Sequence, residues 1–182
     1  MSWYRRRYVK GGTYFFTVVT HLRRPILTTD LARPLLRKAF LNEQANHPFE
    51  IPAIVLLPDH LHAIWTLPEG DCDYSPRLSR IKESFTREYL AAGGEEGPVS
   101  PSRRARGERG VWQRRFWEHT VEDEDDLKRC LDYSHYNPVK HGLVQRVRDY
   151  PWSTFRKFVA LGEYDEHWGE AEIPDVPGAE WE

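Results

Sequence analysis

The stretch FEIPAIVLLPDHLHAIWTL, residues 49–67, decides the fold. It reads as two apolar, β-branched and aromatic runs, FEIPAIVLL and HLHAIWTL, joined through Leu57, Pro58 and Asp59, which is the pattern of an antiparallel hairpin. Side chains alternate across a strand, so His60 and His62 share one face while Leu61, Ala63 and Trp65 point to the other. Two imidazoles one residue apart on a strand can share one ion. The competing reading is a hydrogen-bonded histidine pair at a strand edge, and the Pro58–Asp59 turn weighs against it by placing the pair at an element end, where a site opens to solvent.

Outward from the hairpin, GGTYFFTVVT (11–20) is an earlier strand. TDLARPLLRKAFLNEQAN (29–46) has Leu31, Leu35, Leu36 and Ala39 at helical spacing, with Thr29 or Asp30 as cap and Pro34 in its opening turn. SPRLSRIKESFTREYLAA (75–92) carries Leu78, Ile81, Phe85 and Tyr89 on one stripe and is expected to begin with a Ser-Pro cap. From Gly93 to Gly110 the chain turns rich in Gly, Pro, Ser and Arg, the composition of a mobile loop that adds nothing to a core. VWQRRFWEHTV (111–121) reads as a fourth strand. The acidic run EDEDD then opens a helix, where negative charge suits the macrodipole, and that helix is expected to stop at Asn137 before Pro138. PVKHGLVQRV is a short helix or turn. This order, strand, helix, strand, strand, helix, strand, helix, is the ferredoxin-like α+β arrangement, an antiparallel sheet with helices packed on it.

With 182 residues, 40% of them hydrophobic, the chain can bury one core without staples. No apolar run approaches the roughly 20 residues of a spanning helix, and no secretory signal follows the basic N-terminus. Cys72 and Cys130 lack CxxC spacing and read as reduced cytosolic thiols. The net charge of −2 conceals segregation: YRRRYVK and SRRARGERGVWQRR are basic, whereas VEDEDD and the ending are acidic. A local basic surface is what phosphate binding needs, so a nucleic-acid partner stays open.

LDYSHYNPVKHG (131–142) supplies candidate partners for the histidines. Tyr133 and Asn137, four apart on a helix, lie on one face and can present a phenol and an amide oxygen to one pocket. Two imidazoles and an amide oxygen suit Mg2+ or Mn2+ with waters better than a closed zinc site. The alternative is that Tyr133 and Tyr136 pack and Asn137 caps the helix. Tyr136 is a lesser nucleophile candidate, turned about 60° away around the helix. Arg5, Arg6, Arg7 and Lys10, interleaved with Trp3, Tyr4 and Tyr8, and Arg114 and Arg115, beside Trp112, Phe116 and Trp117, are candidate DNA contacts, cations for phosphates and rings for exposed bases. Lys140 is a further candidate phosphate contact. His119 reads as a structural histidine.

Together, LPDHLHAIWTLPEGD and YNPVKHGLV, with YRRRYVKGGTYFFTV, WQRRFWEH and WSTF, resemble the HUH superfamily of single-strand DNA nucleases and, within it, the REP-associated tyrosine transposases. The resemblance covers most of the chain. It implies a metal-dependent endonuclease and strand transferase acting at hairpins of repetitive extragenic palindromes. In that pattern His60, His62 and Asn137 bind the metal and Tyr133 is the nucleophile that becomes a 5′-phosphotyrosine. Asn137 stands where insertion-sequence relatives tend to carry Gln. Residues 1–12 would be a basic arm, 13–150 the nuclease domain, and 151–182 an aromatic segment with an acidic tail. A monomer in the bacterial cytoplasm, at the nucleoid, is expected, with a dimer left open. The competing functions are a non-catalytic regulator that binds palindromes, a replication initiator or relaxase, and a metal hydrolase of small nucleotides.

Overall fold

A computed structural model describes residues 7–171. Four strands, β1 (Thr13–Val19), β2 (Glu50–Leu56), β3 (His60–Thr66) and β4 (Trp117–Thr120), form one sheet in the order β2-β3-β1-β4. Every pairing is antiparallel. The hairpin expected from residues 49–67 is β2–β3, closed where Leu57 N–H donates to the His60 carbonyl at 2.9 Å. Alternation gives the sheet two unlike faces. Tyr14, Phe16, Val18, Leu61, Ala63 and Trp65 build the main apolar core under helices α1 (Ala32–Asn46) and α2 (Tyr74–Ala91). Phe15, Thr17, His60, His62 and Ile64 take the opposite face, under the long helix α4 (Glu124–Lys140). A short helix, α3 (Pro101–Ala105), lies in the loop between α2 and β4.

The helices start for the expected physical reasons, and the elements differ from expectation in four places. Thr29 supplies a hydroxyl to Ala32 N–H at 3.2 Å, and Asp123 caps α4 by accepting from Asp126 N–H at 2.8 Å, ahead of three acidic residues in the first turn. Helix α2, however, begins at Tyr74, so Ser75 and Pro76 lie inside its first turn instead of capping it; proline costs nothing there because its missing N–H has no helical acceptor, and the buried Tyr74 anchors the start. The fourth strand is only Trp117–Thr120, because Val111 and Trp112 turn into the main core and Thr20 bridges to Trp112. The 93–110 segment is tied down: Glu96 holds Arg109 and Gly110 N–H, Gly97 N–H donates to the Gly110 carbonyl, and His21 reaches the Pro98 carbonyl at 2.7 Å. Helix α4 passes through Pro138 to Lys140; the proline forfeits one hydrogen bond, but its ring is buried and His141 N–H restarts the ladder on the Asn137 carbonyl.

After α4 the chain returns to the sheet. Leu56 N–H donates to the Trp152 carbonyl and Thr154 N–H to the Ile54 carbonyl, so residues 152–154 cover the otherwise open edge of β2. Helix α5 (Phe155–Ala160) then packs Phe155 with Tyr164 and Trp168 against Tyr136 and Val147 of the preceding segment. One hydroxyl fastens three elements. Thr154 Oγ1 donates to the Ile54 carbonyl at 3.2 Å, accepts from Ile54 N–H at 3.1 Å, and lies 3.1 Å from Nε2 of His135 on α4. Burial keeps that imidazole neutral, its pKa pushed down to about 3, so Nε2–H is the donor. Both cysteines are free thiols, Cys130 buried and Cys72 partly so.

Thr154→Val keeps the shape and removes this shared acceptor. It is expected to lower unfolding stability by about 1–3 kcal/mol, the cost of leaving buried donors unpaired, with Thr154→Ser close to wild type. Urea denaturation of the three proteins measures it.

Candidate active site

The site grows from the first residues of β3. His60 sits opposite Val19 and His62 opposite Thr17 in the β1–β3 register, both on the α4 face. Asp59, in the turn before β3, accepts a hydrogen bond from His60 Nδ1–H at 2.6 Å and is held from outside by Arg23 at 3.2 Å. Burial alone would raise the Asp59 carboxyl; the hydrogen bond from His60, with the Arg23 guanidinium, outweighs it and holds the pKa at about 2. A carboxylate fixed on Nδ1 leaves His60 Nε2 as a bare lone pair. That nitrogen faces Oδ1 of Asn137 at 3.3 Å. Two acceptors at this distance gain nothing from each other and are arranged as ligands are around a cation.

His62 completes the set. Its Nδ1 lies 3.0 Å from Thr17 Oγ1, and burial, then the neighbouring His60, push its pKa well below the ordinary range, keeping it neutral. Its Nε2 is buried with no hydrogen-bond partner, as is Nδ2 of Asn137. A dry, unpaired ring nitrogen costs about 1–3 kcal/mol, which a folded chain tolerates where a ligand takes the lone pair. Two imidazole nitrogens and an amide oxygen therefore fit a divalent cation that keeps open positions for water or a phosphate oxygen. The rings of His60 and His62 are 4.9 Å apart.

Helix α4 brings the rest. Tyr133, one turn before Asn137, sets its ring edge-on to His62 at 5.1 Å and to Phe15 at 5.8 Å. Two turns on, Lys140 Nζ lies 5.1 Å from the centre of the Tyr133 ring, and the His141 ring is 5.1 Å from that of His60. Tyr136 points away, into the cluster with Val147 and Phe155. The expectation that the turn leaves the histidines open to solvent is corrected: His60 and His62 are 1% and 0% exposed, because α4 lies across them. Asn137 lies within the helix with its side chain at His60, so its amide is not a cap.

The other sequence candidates lie apart from this cluster or outside it. Arg114 and Arg115 are exposed beside Trp112, Phe116 and Trp117, whose rings are core or partly buried. Arg7 is exposed and pairs with Glu122 at 2.6 Å, and Lys10 is exposed; Arg5 and Arg6, with Trp3 and Tyr4, lie outside the described residues. His119 Nε2 donates to Asp126 at 2.7 Å, at the far end of α4. His119, Asp126 and Cys130 have metal-ligand chemistry, but Asp126 also accepts from Glu122 N–H and Arg129, and burial raises the Cys130 thiol, so this group is satisfied as an ion-pair cap. Sequence reading missed Thr17 and Asp59 as parts of the site and left a supporting role for His141 open. Asp59 was signalled by its place beside His60, and His141 by its spacing of four from Asn137. Thr17 emerges only once the β1–β3 register is known.

No protein-family profile matches the chain. It is 43% identical over 180 residues to a REP-associated tyrosine transposase of Escherichia coli K12, covering 99% of this chain and 98% of that one. A Haemophilus influenzae protein provisionally given the same name is 44% identical over 169 residues, covering 93% and 94%. Among solved structures, a REP-associated tyrosine transposase bound to a REP hairpin superposes with a TM-score of 0.77 at 44% identity, covering 97% of this chain and 95% of that chain.

Calorimetric titration of metal-free protein with Mn2+ is expected to give one site, lost in His60→Ala and in His62→Ala. Thr17→Val, which removes only the group orienting His62, is expected to weaken binding by about 10–100-fold.

Proposed function

The chain belongs to the REP-associated tyrosine transposases, and from that premise we propose that it cuts and rejoins single-stranded DNA at the foot of palindromic-repeat hairpins, with Tyr133 as nucleophile and Mg2+ or Mn2+ held by His60, His62 and Asn137. The observation that carries this reading is the pairing of His60 Nε2 with Asn137 Oδ1 at 3.3 Å beside the dry His62 nitrogen, under the ring of Tyr133. A bound divalent ion supplies charge neutralisation and orientation of the scissile phosphate. Asp59 accepts from Nδ1 of His60 and Thr17 Oγ1 lies against Nδ1 of His62, so both rings are held through Nδ1 with Nε2 turned to the site.

Tyr133 then attacks phosphorus. Its oxygen forms the new P–O bond, the bond to the 3′ oxygen of the preceding nucleotide breaks, and that oxygen takes up a proton as a 3′-hydroxyl. The phenol, ordinarily near a pKa of about 10, is a weak nucleophile until its anion is favoured. Lys140, 5.1 Å from the ring centre, supplies positive charge for that and for the phosphate. Bond count is conserved, so the 5′-phosphotyrosine keeps the energy of the phosphodiester, and a second 3′-hydroxyl can reverse the step without ATP. The exposed Arg7, Lys10, Arg114 and Arg115 follow the DNA backbone, and Arg5 and Arg6 extend that set in sequence. A monomer, working in the bacterial cytoplasm at the nucleoid, completes the proposal.

Incubation with a labelled repeat hairpin and Mn2+ is expected to give a denaturation-resistant protein–DNA adduct. Tyr133→Phe is expected to abolish the adduct and to slow cleavage by about 1000-fold or more, while Tyr136→Phe retains both. Cleavage surviving in Tyr133→Phe would mean that water is the nucleophile; tight hairpin binding by the wild type without adduct would mean a regulator.

A further inference from the structure

Strand β1 ends at Val19, directly opposite His60, and the next five residues make a tight turn at the same end of the sheet as the site. The turn is held from beneath. Buried Thr20 donates its N–H to the Asp59 carbonyl at 2.8 Å, and its hydroxyl lies 2.9 Å from that carbonyl and 2.8 Å from that of Arg24. Buried His21 donates its N–H to Val111 and bonds Pro98 through its ring. At the tip, Leu22 (φ 56°, ψ 28°) and Arg23 (φ 50°) are successive left-handed residues, and neither is glycine. That region crowds any side chain with a Cβ, and leucine more than Asn or Asp, which bond locally there.

Leu22 is 65% exposed, the most exposed large apolar side chain among the described residues. The fold thus holds an unfavourable backbone and presents an apolar side chain to water at the tip of the turn. Strain of this kind, fixed by surrounding hydrogen bonds, marks a binding element. Its neighbours define the ligand. Arg23 reaches Asp59, the carboxylate that holds His60, so the tip stands beside the metal ligands. Arg23, Arg24 and Arg103 place cations around the turn, each also paired with a carboxylate (Asp59, Glu95 and Glu108), with Arg103 Nη1 3.4 Å from the His21 ring. A rigid, isolated aliphatic side chain among cations suits a base step between phosphates better than an apolar protein surface, which would need a patch.

We propose that Leu22 is a wedge that enters the unpaired DNA at the base step beside the scissile phosphate, prising the bases apart and so presenting that phosphate to Tyr133. This rests on the single-strand transferase reading above and adds the element that shapes its substrate.

The test uses the full chain, Mn2+ and a repeat hairpin carrying single 2-aminopurines at each position of its unpaired foot. In the wild type, fluorescence is expected to rise severalfold at one step through unstacking, and the adduct to form. Leu22→Gly suits the left-handed backbone, so its melting temperature should equal or exceed that of the wild type. It should nevertheless lose the fluorescence rise at that step and form adduct about tenfold more slowly, with hairpin affinity changed much less. Leu22→Met should restore both signals. Adduct and fluorescence unchanged in Leu22→Gly would overturn the wedge while leaving the transferase reading intact, and a shift of oligomeric state in that variant without change at the DNA would assign Leu22 to a protein contact instead. No adduct with wild-type protein on any repeat would overturn both.

Discussion

The register between β1 and β3 is the constraint on which the rest depends. With Thr17 opposite His62 and Val19 opposite His60, both imidazoles face α4. A slip of one residue would move them under α1 and α2 and turn Trp65, Ala63 and Leu61 toward the site, since side chains alternate with a strict period of two. Three features fix the register. Tyr14 and Phe16 pack with Trp65 in one aromatic layer, with Phe16 and Trp65 ring centres 4.8 Å apart. Thr13 and Thr66 hydroxyls pair at 3.0 Å at one end. At the other, Thr20 grips the Asp59 carbonyl through both N–H and hydroxyl. The same alternation that buries the core therefore aims the ligands, and Thr17, placed by register alone, becomes the second partner of His62.

Helix α4 works on two sides at once. One side sends Tyr133, Asn137 and Lys140 to the sheet face; the other sends His135 and Tyr136 to the C-terminal segment. Spacings of four and seven make this division without any special backbone. The proline inside the helix does not break it because the turn beyond is captured by the Asn137, Pro138 and Val139 carbonyls, which receive N–H groups from His141, Leu143 and Gly142.

How far the site was legible follows from which interactions are local. His60 and His62 on one strand face, and Tyr133 and Asn137 on one helix face, are consequences of period, and they meet as period predicted. The end of α4 was misplaced because the bias against helix before proline is a local preference, overridden here by burial of Pro138 and its neighbours. The shortened β4 and the start of α2 were misread for a related reason: Trp112 and Tyr74 are claimed by the main core, and tertiary packing overrides local propensity. The Leu22 turn carries no sequence signal, since left-handed backbone is normally announced by Gly or Asn.

The two faces of the sheet also explain why the chain continues after α4. Under α1 and α2 the interface is mainly apolar and aromatic, crossed by the Arg80–Glu43 ion pair and the Tyr74–Glu118 hydrogen bond, and burial contributes about 1.5–3 kcal/mol for each large side chain removed from water. Under α4 the interface includes Thr17, His60, His62 and Asn137, and its apolar part is confined to Phe15, Ala53, Ile64, Cys130 and Tyr133 with partly buried neighbours. Polar groups cannot also act as hydrophobic glue, and the buried, unpartnered Nε2 of His62 opposes docking. The additional hold comes from outside the site. Tyr150 packs with Val55 and Leu57 and donates to the Leu56 carbonyl at 2.7 Å, Thr154 joins β2 to His135, and Phe155, Tyr164 and Trp168 close over Tyr136. The hold on α4 therefore comes mainly from the back of the helix, which relieves its polar front of that task.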